Sequence, residues 1–168
     1  MKFKALKTLG VLVGGVAGQT KNISMKKDKI KIKGVTYWHP HLSNISPKAK
    51  IGEGTVIHAF VSIHDEVVIG KHCKIEDGAK LFNGVFIDDD VFIGPEVCFT
   101  NDRNPALRDG TFKPTSTIVR NGATIGAGAR LLAGIVVGEG AVIGMGAVVL
   151  DNCDPGGVYV GVPAKRIK

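Results

Sequence analysis

Residues 45–99 read ISPKAK-IGEGTV-IHAFVS-IHDEVV-IGKHCK-IEDGAK-LFNGVF-IDDDVF-IGPEVC-F, with a large apolar residue at every sixth position. Ile45, Ile51, Ile57, Ile63, Ile69, Ile75, Leu81, Ile87, Ile93 and Phe99 keep that spacing without a slip. After an interruption it resumes at Val119, Ile125, Leu131, Val137, Ile143 and Val149. Four residues beyond each anchor stands a small or β-branched residue, from Ala49 and Thr55 to Ala147 and Cys153. A period of six is neither the 3.6 of a helix nor the alternation of a simple strand. It fits short strands joined by tight corners, three to a coil, with the anchors pointing inward. The sixteen anchors make a little over five coils. Glycine often follows the anchor (Gly52, Gly70, Gly94, Gly126, Gly138, Gly144), where it is expected to supply the turn dihedrals.

Composition agrees with this reading. The chain has 168 residues, of which 23 are glycine, with 44% apolar and only 6% aromatic residues. Abundant glycine without a G-X-Y period excludes collagen, and the apolar content excludes a flexible linker. The net charge of +7 is local: residues 1–33 hold nine lysines and one acidic residue, Asp28. It is therefore a property of an N-terminal arm and weak evidence for nucleic-acid binding by the fold. Cys73, Cys98 and Cys153 show neither a metal-binding spacing nor a disulfide framework. Cys73 and Cys153 occupy the small-residue slot and read as packing residues. The apolar run Leu9–Ala17, after Lys2, Lys4 and Lys7, loosely resembles a signal peptide and is too short to span a bilayer. We expect residues 1–38 to form a basic extension and 39–168 one repeat domain.

Twenty residues separate Phe99 from Val119 where six are due. The extruded loop, about residues 100–117, carries Asp102, Arg103, Arg108, Asp109 and Lys113. A long loop on a rigid solenoid is a favoured place for function.

The hexads resemble the hexapeptide-repeat, left-handed parallel β-helix family of acyltransferases, and the handedness expected here comes from that resemblance. Residues 87–105, IDDDVFIGPEVCFTNDRNP, resemble a subgroup that acetylates the amino group of nucleotide-linked amino sugars. Its pattern, D-D-V-F-x-G-P followed by F-T-N-D-x-x-P-R, is met by Asp89 to Phe92, Gly94-Pro95, Phe99 to Asp102 and Pro105. It is departed from at Ala106, where the pattern has arginine. The resemblance covers about residues 39–168. It implies acetyl-CoA as co-substrate, a nucleotide-sugar acceptor in polysaccharide or glycan synthesis, and a homotrimer with active sites between neighbouring prisms; the three cysteines, without a disulfide framework, point to a reducing, cytoplasmic compartment. It also implies coenzyme A in a groove by the later coils. There Ala127, Met145 and Ala147 are the candidates for the pantetheine arm, and Lys165 and Arg166 for the phosphates.

Residues 18 apart should stack on one side of the prism. Asp65, Asn83 and Asn101 form such a column, each two residues past an anchor, where Asn and Asp also serve as left-handed corner residues. Asn83, Asp77 and His64 are the candidates for catalysis, and Asn101, Asp102 and Arg103 for substrate binding. Asp77 lies where part of the subgroup has a Gln-Asn-Asn hexad. His64, beside Asp65, is the best placed of five histidines for a base. The inserted loop has no histidine, so the arrangement of the serine and xenobiotic acetyltransferases is not matched. A metal centre is not expected: His58, His64 and His72 are six and eight residues apart and share no column. The alternatives are an O-acetyltransferase on the same prism and a non-catalytic assembly module.

Overall fold

The computed structural model describes residues 29–105, 112 and 114–168. The hexads form a parallel β-solenoid with three flat faces. The first face stacks Val35–Trp38, Val56–Ile57, Lys74–Ile75, Phe92–Ile93, Thr124–Ile125, Val142–Ile143 and Val158–Val160, seven parallel strands marking about six turns. The second carries Lys50–Ile51, Val68–Ile69, Val85–Ile87, Thr117–Val119 and Val136–Val137. The third runs from Asn44–Ile45 through Ser62–Ile63, Lys80–Leu81, Cys98–Phe99 and Arg130–Leu131 to Val148–Val149. The chain passes from third face to second to first and back, crossing three edges per turn.

Anchor stacks on anchor: Ile57 pairs with Ile75, Ile75 with Ile93 and Ile125 with Ile143. From Ile57 to Val149 every anchor is buried, as is the small residue of each hexad. Each large aliphatic side chain withdrawn from water in this way contributes about 1.5–3 kcal/mol. The register survives the insertion, since Ile69 pairs with Ile87 and Ile87 in turn with Val119. The extra residues thus leave at the third–second edge without shifting the stack. Thr55 sits in the core because its hydroxyl donates to the Gly70 carbonyl and accepts the Cys73 N–H.

The glycines after the anchors have a different role from the one expected. At most corners a left-handed residue stands three past the anchor, as at Gly54, Gly78, Gly84 and Gly128, and also at Phe60, Glu66, His72, Asp90 and Glu96. The glycines one past the anchor are required by close approach: a Cβ at Gly138 would stand 2.4 Å from the Pro155 nitrogen, and one at Gly126 2.6 Å from that of Met145. Asp65, Asn83 and Asn101 all lie outside the left-handed region, so that corner role does not explain them.

Both ends depart from the hexad. Lys29–Ile32 pairs antiparallel with Val35–Trp38, and the latter pairs parallel with Val56–Ile57. The solenoid therefore begins on the N-terminal side of residue 39. At the other end Lys165–Arg166 returns antiparallel on Val158–Val160. Cys73 and Cys153 are buried and Cys98 half-buried. Burial pushes both buried thiols up, Cys153 to about 11.

Candidate active site

The first–third edge changes character along its length. One residue past the anchor it carries Trp38, His58 and Glu76, then Gly94, Gly126 and Gly144. Two past the anchor it carries His39, Ala59, Asp77, Pro95, Ala127 and Met145. The ladder holds the polar part rigidly: the His58 N–H donates to the Ile75 carbonyl and the Glu76 N–H to that of Ile93, both at 2.9 Å. His58 Nδ1 lies 3.7 Å from a Glu76 oxygen and 3.9 Å from Asp77 Oδ2. The other Glu76 oxygen is 2.6 Å from Lys74 Nζ. Asp77 Oδ1 accepts the Ala59 N–H at 3.1 Å, which orients its carboxylate. Glu76 is largely covered, whereas the Asp77 side chain is 55% exposed. Trp38, His39, His58, Ala59 and Asp77 line a cleft of about 300 Å³.

An imidazole facing two carboxylates can take a proton and have its new charge stabilised. Oxygens of Glu76 and Asp77 and a nitrogen of His58 lie within 4.8 Å of one another. That spacing also suits a divalent cation, although Lys74 already holds the other Glu76 oxygen.

The residues expected to act together are divided between edges. Asp77 belongs to the cluster just described. His64 and Asn83 lie on the third–second edge, where with Ser46 and Asp65 they line a cleft of about 430 Å³. Asp65 does not orient His64. Its carboxylate accepts from Ser46 Oγ at 2.5 Å and from Lys48 Nζ at 2.7 Å, and those bonds hold its carboxyl below the usual range. The His64 ring packs on Phe82 instead, with centroids 4.6 Å apart. His72 lies on the remaining edge, 3.6 Å from Asp90, so His58, His64 and His72 stand on three different edges of one prism.

At the root of the loop, the Asn101 carbonyl accepts the Thr115 N–H. Asp102 Oδ1 accepts the Asn104 N–H at 2.9 Å, and an Arg103 guanidinium nitrogen donates to the Ala133 carbonyl at 3.1 Å. Asp102 thus closes a local turn, and Arg103 ties the root of the loop to the next coil. Ala106, Arg108, Asp109 and Lys113 lie outside the described residues, as do residues 1–28.

Of the residues expected to meet coenzyme A, Ala127 and Met145 stand on the first–third edge, and Met145 is 82% exposed. Ala147 does not qualify: it is fully buried in the small-residue slot. Lys165 pairs in register with Val160, beside this edge. The Arg166 guanidinium is turned away to Asp154, 3.0 Å off on the second–first edge. His58 and Glu76 were missed as a pair, although they are 18 apart and the stacking rule used for Asp65 and Asn83 identifies them equally well.

The model of the bacterial transferase hexapeptide (six repeats) matches residues 48–83 and 116–151. A serine acetyltransferase from Buchnera aphidicola is 38% identical over 125 residues, 74% of this chain and 40% of the relative. A GDP-perosamine N-acetyltransferase from Caulobacter crescentus, solved with CoA and GDP-perosamine, superposes with a TM-score of 0.65 at 25% identity. That superposition covers 76% of this chain and 54% of the other. The N-acyltransferase AntD from Bacillus cereus, solved with dTDP and coenzyme A, gives a TM-score of 0.70 and covers 80% of each chain. At 24% identity its likeness is one of fold. The chain spans 40% or less of the curated relatives it matches. By its period and its three-faced architecture, the chain is a parallel β-solenoid of hexapeptide repeats.

Proposed function

We propose that the chain is an acyltransferase that moves an acetyl group from acetyl-CoA to the amino group of a nucleotide-linked amino sugar. The observation that carries the reading is the convergence of His58, Glu76 and Asp77 beside a cleft that His58 and Asp77 line, on the edge that continues into Pro95, Ala127 and Met145. The resemblance of residues 87–105 and the likeness to the perosamine enzyme support the same class.

Acetyl transfer to an amine asks little of a protein. The neutral amine attacks the thioester carbonyl carbon, a C–N bond forms, the C–S bond breaks, and coenzyme A leaves as thiolate. The nitrogen sheds one proton and the thiolate gains one. Positioning supplies most of the rate. In this reading Asp77 holds the ammonium form of the acceptor and His58 takes its proton. Glu76, held by Lys74, fixes His58. Ala127 and Met145 flank the pantetheine arm, and Lys165 meets a phosphate. His64, Asn83 and Asn101 lie on another edge, so any contact they make with the same substrate comes from a neighbouring prism of a homotrimer. We place the reaction in the cytoplasm, where acetyl-CoA is at hand, and in polysaccharide or glycan synthesis.

The serine acetyltransferase relative favours a second reading, O-acetylation of a hydroxyl acceptor. One assay separates the two: thiol release from acetyl-CoA with a panel of nucleotide-linked amino sugars, the matching hydroxy sugars, and serine. Release with the amino sugars alone supports the proposal, release with hydroxyl acceptors alone supports the second reading, and release with none sinks both.

A further inference from the structure

The N-terminal hairpin has two chemically distinct faces. Ile30 stands opposite Tyr37 and Ile32 opposite Val35, whereas Lys29 stands opposite Trp38 and Lys31 opposite Thr36. Alternation puts the two sets on opposite sides. Ile30, Ile32, Val35 and Tyr37 line the apolar mouth at the open end of the prism. Lys29, Lys31, Thr36 and Trp38 therefore form the outward face. There the Lys29 ammonium lies 5.0 Å from the centre of the Trp38 ring. Trp38 and His39 also wall the cleft that contains His58 and Asp77. The Trp38 and His58 rings are 6.4 Å apart with planes 29° from parallel.

From this juxtaposition we infer that the hairpin is the seat of the nucleoside diphosphate half of the acceptor, a deeper form of the acyltransferase reading on which it rests. Trp38 takes the base by stacking, and Lys29 and Lys31 take the diphosphate. Aromatic faces accept any base, and ammonium groups pair with phosphate oxygens through charge-assisted bonds. Size points the same way. A cleft of about 300 Å³ is at the lower limit for small-molecule sites. It holds one ring group and leaves the remainder of a nucleotide sugar to lie along neighbouring surface, which the hairpin provides. With the sugar end at Asp77, the base end lies at the opposite side of the cleft.

Trp38 is the sole tryptophan of the chain, so its emission reports on this face without turnover. The full chain is titrated with UDP, GDP and dTDP, and separately with a free hexosamine. The expected result is saturable quenching by at least one nucleoside diphosphate and none by the free sugar, with an apparent Kd that rises with salt. Joint Lys29→Ala and Lys31→Ala substitution weakens that binding severalfold. Trp38→Ala raises the acceptor KM roughly 5- to 150-fold, the range for a base stacked on an aromatic side chain, and leaves the acetyl-CoA KM alone; Trp38→Phe recovers most of the loss. Silence toward every nucleotide, or quenching by the free sugar alone, overturns the inference. Acetylation with a silent Trp38 removes the hairpin seat and spares the acyltransferase reading. Nucleotide quenching without acetylation of any acceptor does the reverse.

Discussion

Gly126→Ala and Gly128→Ala separate the two reasons this fold uses glycine. At Gly126 the added Cβ would stand 2.6 Å from the Met145 nitrogen and 2.8 Å from the Gly144 carbon and the Ile143 oxygen, all backbone atoms of the next coil. To restore an ordinary contact of 3.4 Å, that coil must retreat by about 0.8 Å. The same movement stretches the 2.7 Å bond from the Gly126 N–H to the Ile143 carbonyl to about 3.5 Å, the edge of hydrogen bonding. Overpacking of this kind costs roughly 1–3 kcal/mol and a weakened buried bond about 1 more. We therefore expect a loss of about 2–4 kcal/mol, a large fraction of a typical domain's stability. At Gly128 the Cβ meets nothing nearer than 4.0 Å, and the penalty comes from φ +70° alone. A non-glycine residue in that region costs about 1–2 kcal/mol, reduced by the lower entropy of the unfolded alanine chain, which leaves about 1 kcal/mol. Urea unfolding of both variants at one protein concentration measures the difference. If Gly128→Ala is the more damaging, close approach between coils is not what selects glycine after the anchors, and the corner account fails.

Three further outcomes are expected. His58→Gln should lower kcat/KM by roughly 10²–10⁴, the usual worth of a general base, with a far-UV spectrum like the parent's, whereas His64→Gln should lose far less; the reverse order would return the base to the third–second edge. In native protein a thiol reagent at pH 8 should modify Cys98 and spare Cys73 and Cys153 until denaturant is added; three fast thiols before unfolding would contradict the buried slots. The Asp65 carboxyl titrates below its ordinary 3.8 in the folded chain because Lys48 and Ser46 hold its ionised form. Its contribution to stability is thus complete above that pH and is lost as pH falls through the folded value. The urea midpoints of wild type and Asp65→Asn should differ modestly at pH 6 and converge in acid. A gap that widens in acid refutes the sign.

What was legible in the sequence was whatever the six-residue period touches. The anchors, the small slot and the position of the insertion all follow from one repeated steric demand, because a core of identical layers admits one pattern. Two classes of feature escaped it. The role of the glycines is one: periodicity marks where glycine recurs, and only the distance to the next coil distinguishes a left-handed turn from a missing Cβ. The hairpin escaped for the opposite reason. Residues 29–38 contain no hexad, and their place depends on covering the open end of the prism, a tertiary demand with no local period. The candidate site lay between these cases. The column rule that assembled Asp65, Asn83 and Asn101 applies with equal force to His58 and Glu76. What the rule does not carry is rotamer choice, which turned Asp65 toward Lys48 and left His64 against Phe82.

The edge cluster also bears on which acceptor suits it. With His58 neutral, Lys74, Glu76 and Asp77 sum to one negative charge, and that charge lies on Asp77, because Lys74 sits 2.6 Å from Glu76. Asp77 is the exposed member. A single exposed carboxylate at the mouth of a cleft attracts an ammonium group before reaction and leaves a neighbouring imidazole to remove the proton that must go before nitrogen can attack. A hydroxyl acceptor has no charge for Asp77 to meet and would need a stronger base. The solenoid makes such an arrangement easy to install, since side chains 18 residues apart are delivered to adjacent rungs about 4.8 Å apart whatever their identity. The anchors can then stay aliphatic while an edge is rewritten. In the proposed reading, charge placement at Asp77, more than the presence of a histidine, is what inclines this edge toward nitrogen.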